Sequence, residues 1–262
     1  MRLTAVSYLN TKPFIYGLYQ SPLAGQFELS LDIPSVCAQK LLNGEADIAL
    51  APVAIIPELP QAYIVSDFCI GATGPVRTVC LYAHRPLSEI KRVLLDFHSR
   101  TSVVLTRLLL AHYWKINPEL VPATEGYERQ IEGDTAGLII GDRTMGLDGR
   151  FPYTYDLGEA WKAWTGKPFV FAAWMSTRPV APEWVRQLND ALQLGLDHLP
   201  QLMKILPSVP GFDLEDYYRH NISYELDEAK WDALHHFLDH LAGPKGYHLH
   251  RNTVAPSIEV AP

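Results

Sequence analysis

The sequence predicts an α/β protein folded as two lobes around a central ligand cleft. Three observations predict it. Short apolar runs alternate with polar turns and amphipathic stretches, as in a mostly parallel sheet with helices on its faces. The alternation restarts at Val93, after the linker-like His84-Arg85-Pro86-Leu87. A strongly apolar run at 168–174 then reads as a strand returning to the first series, so two segments join the lobes. The length of 262 residues suits two modest domains. The expected division is 1–83 plus 170–262 for a discontinuous first lobe with C-terminal helices, and 84–169 for the second.

The first lobe opens with a strand at 3–6 and the polar turn Ser7-Tyr8-Leu9-Asn10-Thr11-Lys12. Pro13 suits the first turn of a helix over 14–19, because its missing N–H costs nothing there. Free backbone N–H groups at that helix start face the space above the strand, where α/β folds hold anions. Residues 27–33 alternate as a strand; Ser35 is the expected cap of a helix over 36–43 that Gly44 ends. A strand at 46–50 turns at Ala51-Pro52 into a short helix over 53–58. Another strand follows at 63–68, then a loose stretch at 69–73, the punctuation Gly74-Pro75-Val76 and a strand at 77–83.

The second lobe reads as a strand at 93–96, the turn His98-Ser99-Arg100-Thr101-Ser102 and an apolar helix over 103–114. Leu120 and Val121 are strand-like, and 127–132 is a short helix. A buried strand over 137–140 ends at Gly141-Asp142, and 159–165 is a short Trp-rich helix. After the return strand the chain is helical. The stretch 182–199 places Trp184, Leu188, Ala191, Leu192 and Leu196 on one stripe. Helices at 214–220 and 228–241 follow, the last capped by Asp227 and stopped by Gly243-Pro244. The tail after Lys245 has no period and is expected to be extended or mobile.

Composition removes several function classes. With 48% hydrophobic and 19% charged residues the chain is an ordinary globular one. A net charge of −7 argues against nucleic-acid binding. No apolar run reaches membrane-spanning length, and no leader-like stretch precedes the first strand, so a cytoplasmic location is expected. Cys37, Cys69 and Cys80 are widely spaced and read as reduced core thiols. No nucleotide-binding glycine pattern occurs. His236 and His240 share a helix face beside His235, but no His-Glu-x-x-His pattern accompanies them, and no metal site is expected. Trp161 and Trp164 read as packing at the hinge. Oligomeric state stays open.

Four polar turns, at 7–11, 52–54, 99–102 and 141–142, fall at the carboxyl ends of strands and would line the cleft. Several of these blocks are similar to those of one family. Val6-Ser7-Tyr8-Leu9-Asn10-Thr11-Lys12-Pro13 resembles the opening motif of the chorismate dehydratases of the futalosine route to menaquinone. Gly44-Glu45-Ala46-Asp47-Ile48-Ala49-Leu50 with Pro52-Val53, Gly74-Pro75-Val76-Arg77-Thr78 and Ser99-Arg100-Thr101-Ser102 look like its next three blocks. Leu138-Ile139-Ile140-Gly141-Asp142 and the Trp-rich stretch 155–169 complete the series. The resemblance covers about two-thirds of the chain; the opening and Trp-rich blocks are the specific ones, whereas Gly-Glu-Ala-Asp is shared with solute-binding proteins.

The resemblance implies a type II periplasmic-binding-protein-like fold put to catalysis. It implies loss of water from chorismate, the small-molecule partner, to give 3-[(1-carboxyvinyl)oxy]benzoate, with no metal or organic cofactor. It puts a functional asparagine at Asn10, whose amide is a poor base, and a hydroxyl, more often serine in the family, at Thr78. As the substrate is a dianion, Ser7, Pro52, Val53, Arg77, Ser99, Arg100, Thr101, Ser102, Gly141 and Asp142 are the expected binding residues. Several have a plainer use: Asn10 as a turn residue, Thr78 as a strand residue, Ser99 as a helix cap with Thr101 in solvent, Asp142 as a loop anchor, and Arg77 and Arg100 as surface charges. Asp47 is assigned to strand-turn structure. Two other functions fit the same fold. One is a non-catalytic solute-binding protein for a small aromatic carboxylate. The other is the sister 1,4-dihydroxy-6-naphthoate synthase, whose opening block differs and whose cleft would carry a histidine; here only His98 stands near.

Overall fold

The computed structural model describes residues 1–252. Two mixed sheets form the frame, and their strand orders show where the chain crosses between them.

In the first lobe, β1 (Arg2–Val6) pairs in parallel with β2 (Glu28–Asp32) and with β3 (Ile48–Pro52). Helices α1 (Lys12–Gln20) and α2 (Pro34–Leu42) make the crossovers. A 3-10 turn, Val53–Glu58, then leads to β4 (Ala62–Ala72). In the second lobe, β5 (Val79–Ala83) lies antiparallel to its neighbours; β6 (Arg92–Leu95) is followed by α3 (Thr101–Leu108) and β7 (Glu119–Pro122). Next come β8 (Thr135–Ile140), β9 (Tyr153–Asp156) and α4 (Leu157–Thr165). The chain re-enters the first sheet as β10 (Phe169–Ser176). Helices α5 (Pro182–Asp197), α6 (Leu199–Leu202) and α7 (Leu214–Asp216), strand β11 (Ser223–Glu225), α8 (Glu228–Ala242) and β12 (Leu249–Arg251) finish the first lobe. The first sheet runs β11-β4-β10-β3-β1-β2, with β12 also on β4; the second runs β7-β6-β8-β5-β9. The parallel strands come from crossover units. Two antiparallel strands, β10 and β5, carry the chain between the sheets.

Four expectations change. The strand after Gly74-Pro75-Val76 belongs to the second sheet, since Val79–Ala83 pairs with β8 and β9; the crossing therefore falls at 73–78, before this strand rather than after Ala83. Cys69 to Ala72 is strand, not loose chain, because β10 lies beside it and takes its hydrogen bonds. Ser35 does not cap α2: Ile33 holds that position, Pro34 takes the first turn, and the Ser35 N–H donates to the His98 carbonyl of the other lobe at 3.0 Å. Part of the tail is a strand, β12, paired in parallel with Ala62–Ile64 of β4; the rest of the tail, 253–262, lies outside the described residues. Helix 103–114 is recovered as α3 plus a π-helical turn, Leu109–Tyr113. The three cysteines are free and buried.

Two contacts position the cleft. A Cβ on Gly195 of α5 would lie 2.7 Å from the Pro13 carbonyl carbon, and one on Gly17 of α1 would lie 2.7 Å from the Gly195 nitrogen. Only hydrogen at both positions lets α1 and α5 touch backbone to backbone, which sets the level of the turn before α1. At the crossing, Asp156 caps α4 through the Glu159 N–H at 3.0 Å and accepts from Val76 N–H at 3.1 Å and Arg77 N–H at 2.6 Å. Trp161, fully buried against Trp164, Phe169 and Phe237, donates to the Pro168 carbonyl at 2.9 Å and packs the return crossing.

Candidate active site

Four strands of the two lobes end at one cavity. From β1 and its turn come Val6, Tyr8 and Asn10; from β3, Pro52; from the start of α3, Ser99, Thr101 and Ser102; from the end of β8, Ile140 and Gly141. Val76, Thr78 and Val79 enter from the crossing, and Pro34, Ile70, Phe171 and Ala172 complete the wall. The cavity between them has a volume of about 60 Å³.

The opening turn is held by distant residues. Asp142 accepts from the Leu9 N–H with both carboxylate oxygens, at 3.0 and 3.2 Å. Tyr218 donates to the Leu9 carbonyl at 2.6 Å, and Tyr224 to the Asn10 carbonyl at 2.8 Å. Thr11 donates to the Asn10 side-chain carbonyl at 3.1 Å, which fixes one end of that amide. Across the cavity the Thr78 hydroxyl meets the Tyr217 hydroxyl at 2.9 Å. Gly141 donates to the Thr78 carbonyl at 2.8 Å and has φ +66, so that the Tyr8 ring packs directly on its Cα; a Cβ there would lie 2.6 Å from Tyr8 Cδ2.

The start of α3 is held locally. Ser99 accepts from the Ser102 N–H at 3.0 Å, and Thr106 donates to the Ser102 carbonyl at 2.8 Å. Thr101 is buried, and its hydroxyl accepts from the Ala54 N–H of the first lobe at 3.2 Å. With Tyr8 bonded to His98 Nδ1 at 2.6 Å, these bonds draw the two lobes together over the cavity.

Of the residues expected to bind or react, Asn10, Thr78, Pro52, Ser99, Thr101, Ser102 and Gly141 are brought to the wall. Five are placed elsewhere. Val53 is buried behind the wall, and the Ser7 N–H is used on the Asp32 carbonyl at 2.9 Å. Arg77 sits at φ +62, its N–H held by Asp156, and its guanidinium faces outward to Asp148 at 2.8 Å and over the Phe212 ring. That backbone turn sends Arg77 outward and the next residue, Thr78, inward. Arg100 faces outward as well, pairing with Glu58 at 2.9 Å. Asp142 serves the turn, and burial pushes its carboxyl above the usual range. The wall therefore carries hydroxyls, an amide and an apolar lining with no charged side chain. An anion here meets neutral donors and helix ends in a dry setting, where such donors act strongly.

Sequence reasoning missed Tyr8, although it lies inside the opening block, and the apolar lining. Ile70, Phe171 and Ala172 have no local signature. Sheet register alone brings them in: Ala172 pairs with Pro52 on one side and with Ile70 on the other. Among the described residues no group of three or more His, Cys, Asp or Glu could hold a metal, and no helix is long and apolar enough to cross a membrane.

Comparison with known proteins gives a family and a fold. Residues 1–243 match a family described as menaquinone biosynthesis. A chorismate dehydratase of Thermus thermophilus is 27% identical over 240 residues, which is 81% of this chain and 86% of that one. A protein of Archaeoglobus fulgidus superposes with TM-score 0.69 at 16% identity, covering 94% of this chain and 97% of its own. The periplasmic aliphatic sulphonate binding protein of Escherichia coli gives TM-score 0.55 at 12% identity, over 94% and 89% of the two chains. A Candida albicans protein described as having the generic periplasmic binding protein fold gives 0.58 at 10% identity, over 92% and 88%. At these identities the structures speak for the fold, which is periplasmic-binding-protein-like.

Proposed function

We propose, from the premise that this chain belongs to the menaquinone-biosynthesis family, that it is a chorismate dehydratase, a carbon–oxygen lyase. The observation that carries the reading is the placement of Asn10 and Thr78 in one cavity walled by neutral donors and apolar side chains. A 27% identical relative carries that activity in its name.

Chorismate is a ring with two carboxylates. The proposed reaction removes the proton from the ring carbon bearing the enolpyruvyl ether and expels the neighbouring hydroxyl, and aromatisation drives it. The apolar side chains of Ile70, Val76, Val79, Ile140 and Phe171 suit the ring. The hydroxyls of Ser99, Thr101 and Ser102, at the start of α3, suit one carboxylate. Asn10 orients the substrate, since an amide is too weak a base to take the proton, and the substrate's own enolpyruvyl carboxylate takes that proton. Thr78, braced by Tyr217, supplies a hydrogen bond. Holding the reacting groups in line is one service such a site renders. No metal or organic cofactor enters the proposed reaction, and its setting is cytoplasmic biosynthesis.

The test is to incubate the protein with chorismate alone and follow products by chromatography and mass. Loss of one water to an enolpyruvyl benzoate supports the reading. Stabilisation by chorismate without turnover instead indicates a binding protein. Asn10→Ala is expected to keep the fold and lower turnover by at least about 100-fold; full activity in that variant removes Asn10 from the mechanism.

A further inference from the structure

Expelling a hydroxyl needs a proton, and the wall offers few acids. Among the residues lining the cavity, Tyr8 alone has a titratable side chain. Its phenol, with an ordinary pKa of about 10, is a far better acid than the aliphatic hydroxyls of Thr78, Ser99, Thr101 and Ser102. Its ring is fixed on one side by the bare Cα of Gly141, and its oxygen stands 2.6 Å from His98 Nδ1. His98 is itself held. Its N–H donates to Asp96 at 2.9 Å, its carbonyl accepts from Ser35, and its ring is crossed by the Phe97 ring.

Resting on the dehydratase reading, we propose that Tyr8 is the proton donor to the departing ring hydroxyl and that His98 positions it. With hydrogen on Nδ1, His98 donates to the Tyr8 oxygen and leaves the phenol O–H free to point into the cavity. When the C–O bond breaks, its electron pair leaves with oxygen, which takes the phenol proton and departs as water. The phenolate, steadied by the His98 N–H, then takes back the proton that had left the ring carbon. Tyr8 and His98 end as they began, and substrate equals product plus water. Burial raises the Tyr8 phenol above its usual range and, with Arg143 nearby, lowers the His98 imidazole; both groups are neutral near pH 7, as this step requires.

The experiment uses the full chain. Tyr8→Phe keeps the ring against Gly141 and removes only the hydroxyl. Turnover of chorismate is expected to fall by at least about 100-fold, as for loss of a general acid, with KM little changed and the melting temperature near that of the parent. His98→Ala is expected to lose much of the activity, and His98→Asn, whose amide N–H can take the place of Nδ1–H, to regain part of it. Two results overturn the inference: a Tyr8→Phe protein within about threefold of the parent, or one whose loss lies in KM alone. Equal activity of His98→Ala and His98→Asn removes the positioning role. A parent protein that leaves chorismate unchanged sinks the dehydratase reading itself, and this proposal with it.

Discussion

The two polar walls of the cleft are built in opposite ways. The start of α3 is tied mainly within itself, Ser99 to the Ser102 N–H three residues on and Thr106 to the Ser102 carbonyl four residues back, with one bond, from the Ala54 N–H to Thr101, reaching it from the first lobe. The turn before α1 is tied across the molecule, to Asp142, Tyr218 and Tyr224, which lie 133, 209 and 214 residues away from their partners. The bonds of Ser99 and Thr106 would form in any helix with that start. The other wall exists only when both lobes and the C-terminal segment are in place, so the groups nearest Asn10 report on the whole fold.

The strongest break comes where the walls touch. Gly141→Ala puts a Cβ 2.6 Å from Tyr8 Cδ2 on a backbone at φ +66, a conformation that favours glycine. We expect a stability loss above ~1 kcal/mol together with collapse of turnover, read by thermal denaturation and the chorismate assay. Unchanged values for both would mean that the walls do not meet as described.

A matched pair then weighs the long-range wall against the local one. Tyr218→Phe leaves the buried Leu9 carbonyl without its donor, at a cost of ~1–3 kcal/mol. Ser99→Ala removes one local hydrogen bond, to the Ser102 N–H, worth ~1 kcal/mol. Denaturant unfolding should rank the tyrosine first; the reverse order would make the start of α3 the firmer constraint. The smallest effect belongs to Arg100→Ala. Its pair with Glu58 is half-exposed, worth about 0–1 kcal/mol, and KM for chorismate should hold. A large rise in KM would place the guanidinium on the substrate and end the account of a neutral wall.

These differences also mark what could be read in advance. Local capping and period are visible to neighbours in the chain. The strand-turn-helix units, the Asp227 cap, the return strand and the polar turns were therefore legible, and seven of the twelve expected residues line the one cavity described above. Arg77 and Arg100 were not legible, because side-chain direction depends on partners far away: Asp148 and Asp216 for one, Glu58 for the other. Val79–Ala83 has the same composition whichever sheet it joins; its place was settled by β8 and β9.

By itself the sequence determined the class of fold, the positions of the turns and the hydroxyl and amide groups that they carry. Tertiary structure alone decided which of those groups share a cavity, that Tyr8 meets His98 there, and that Arg77 and Arg100 are turned away. The physical reason is one of range. Propensity and capping act over three or four residues, whereas burial, register and hydrogen bonding across lobes join groups more than a hundred residues apart.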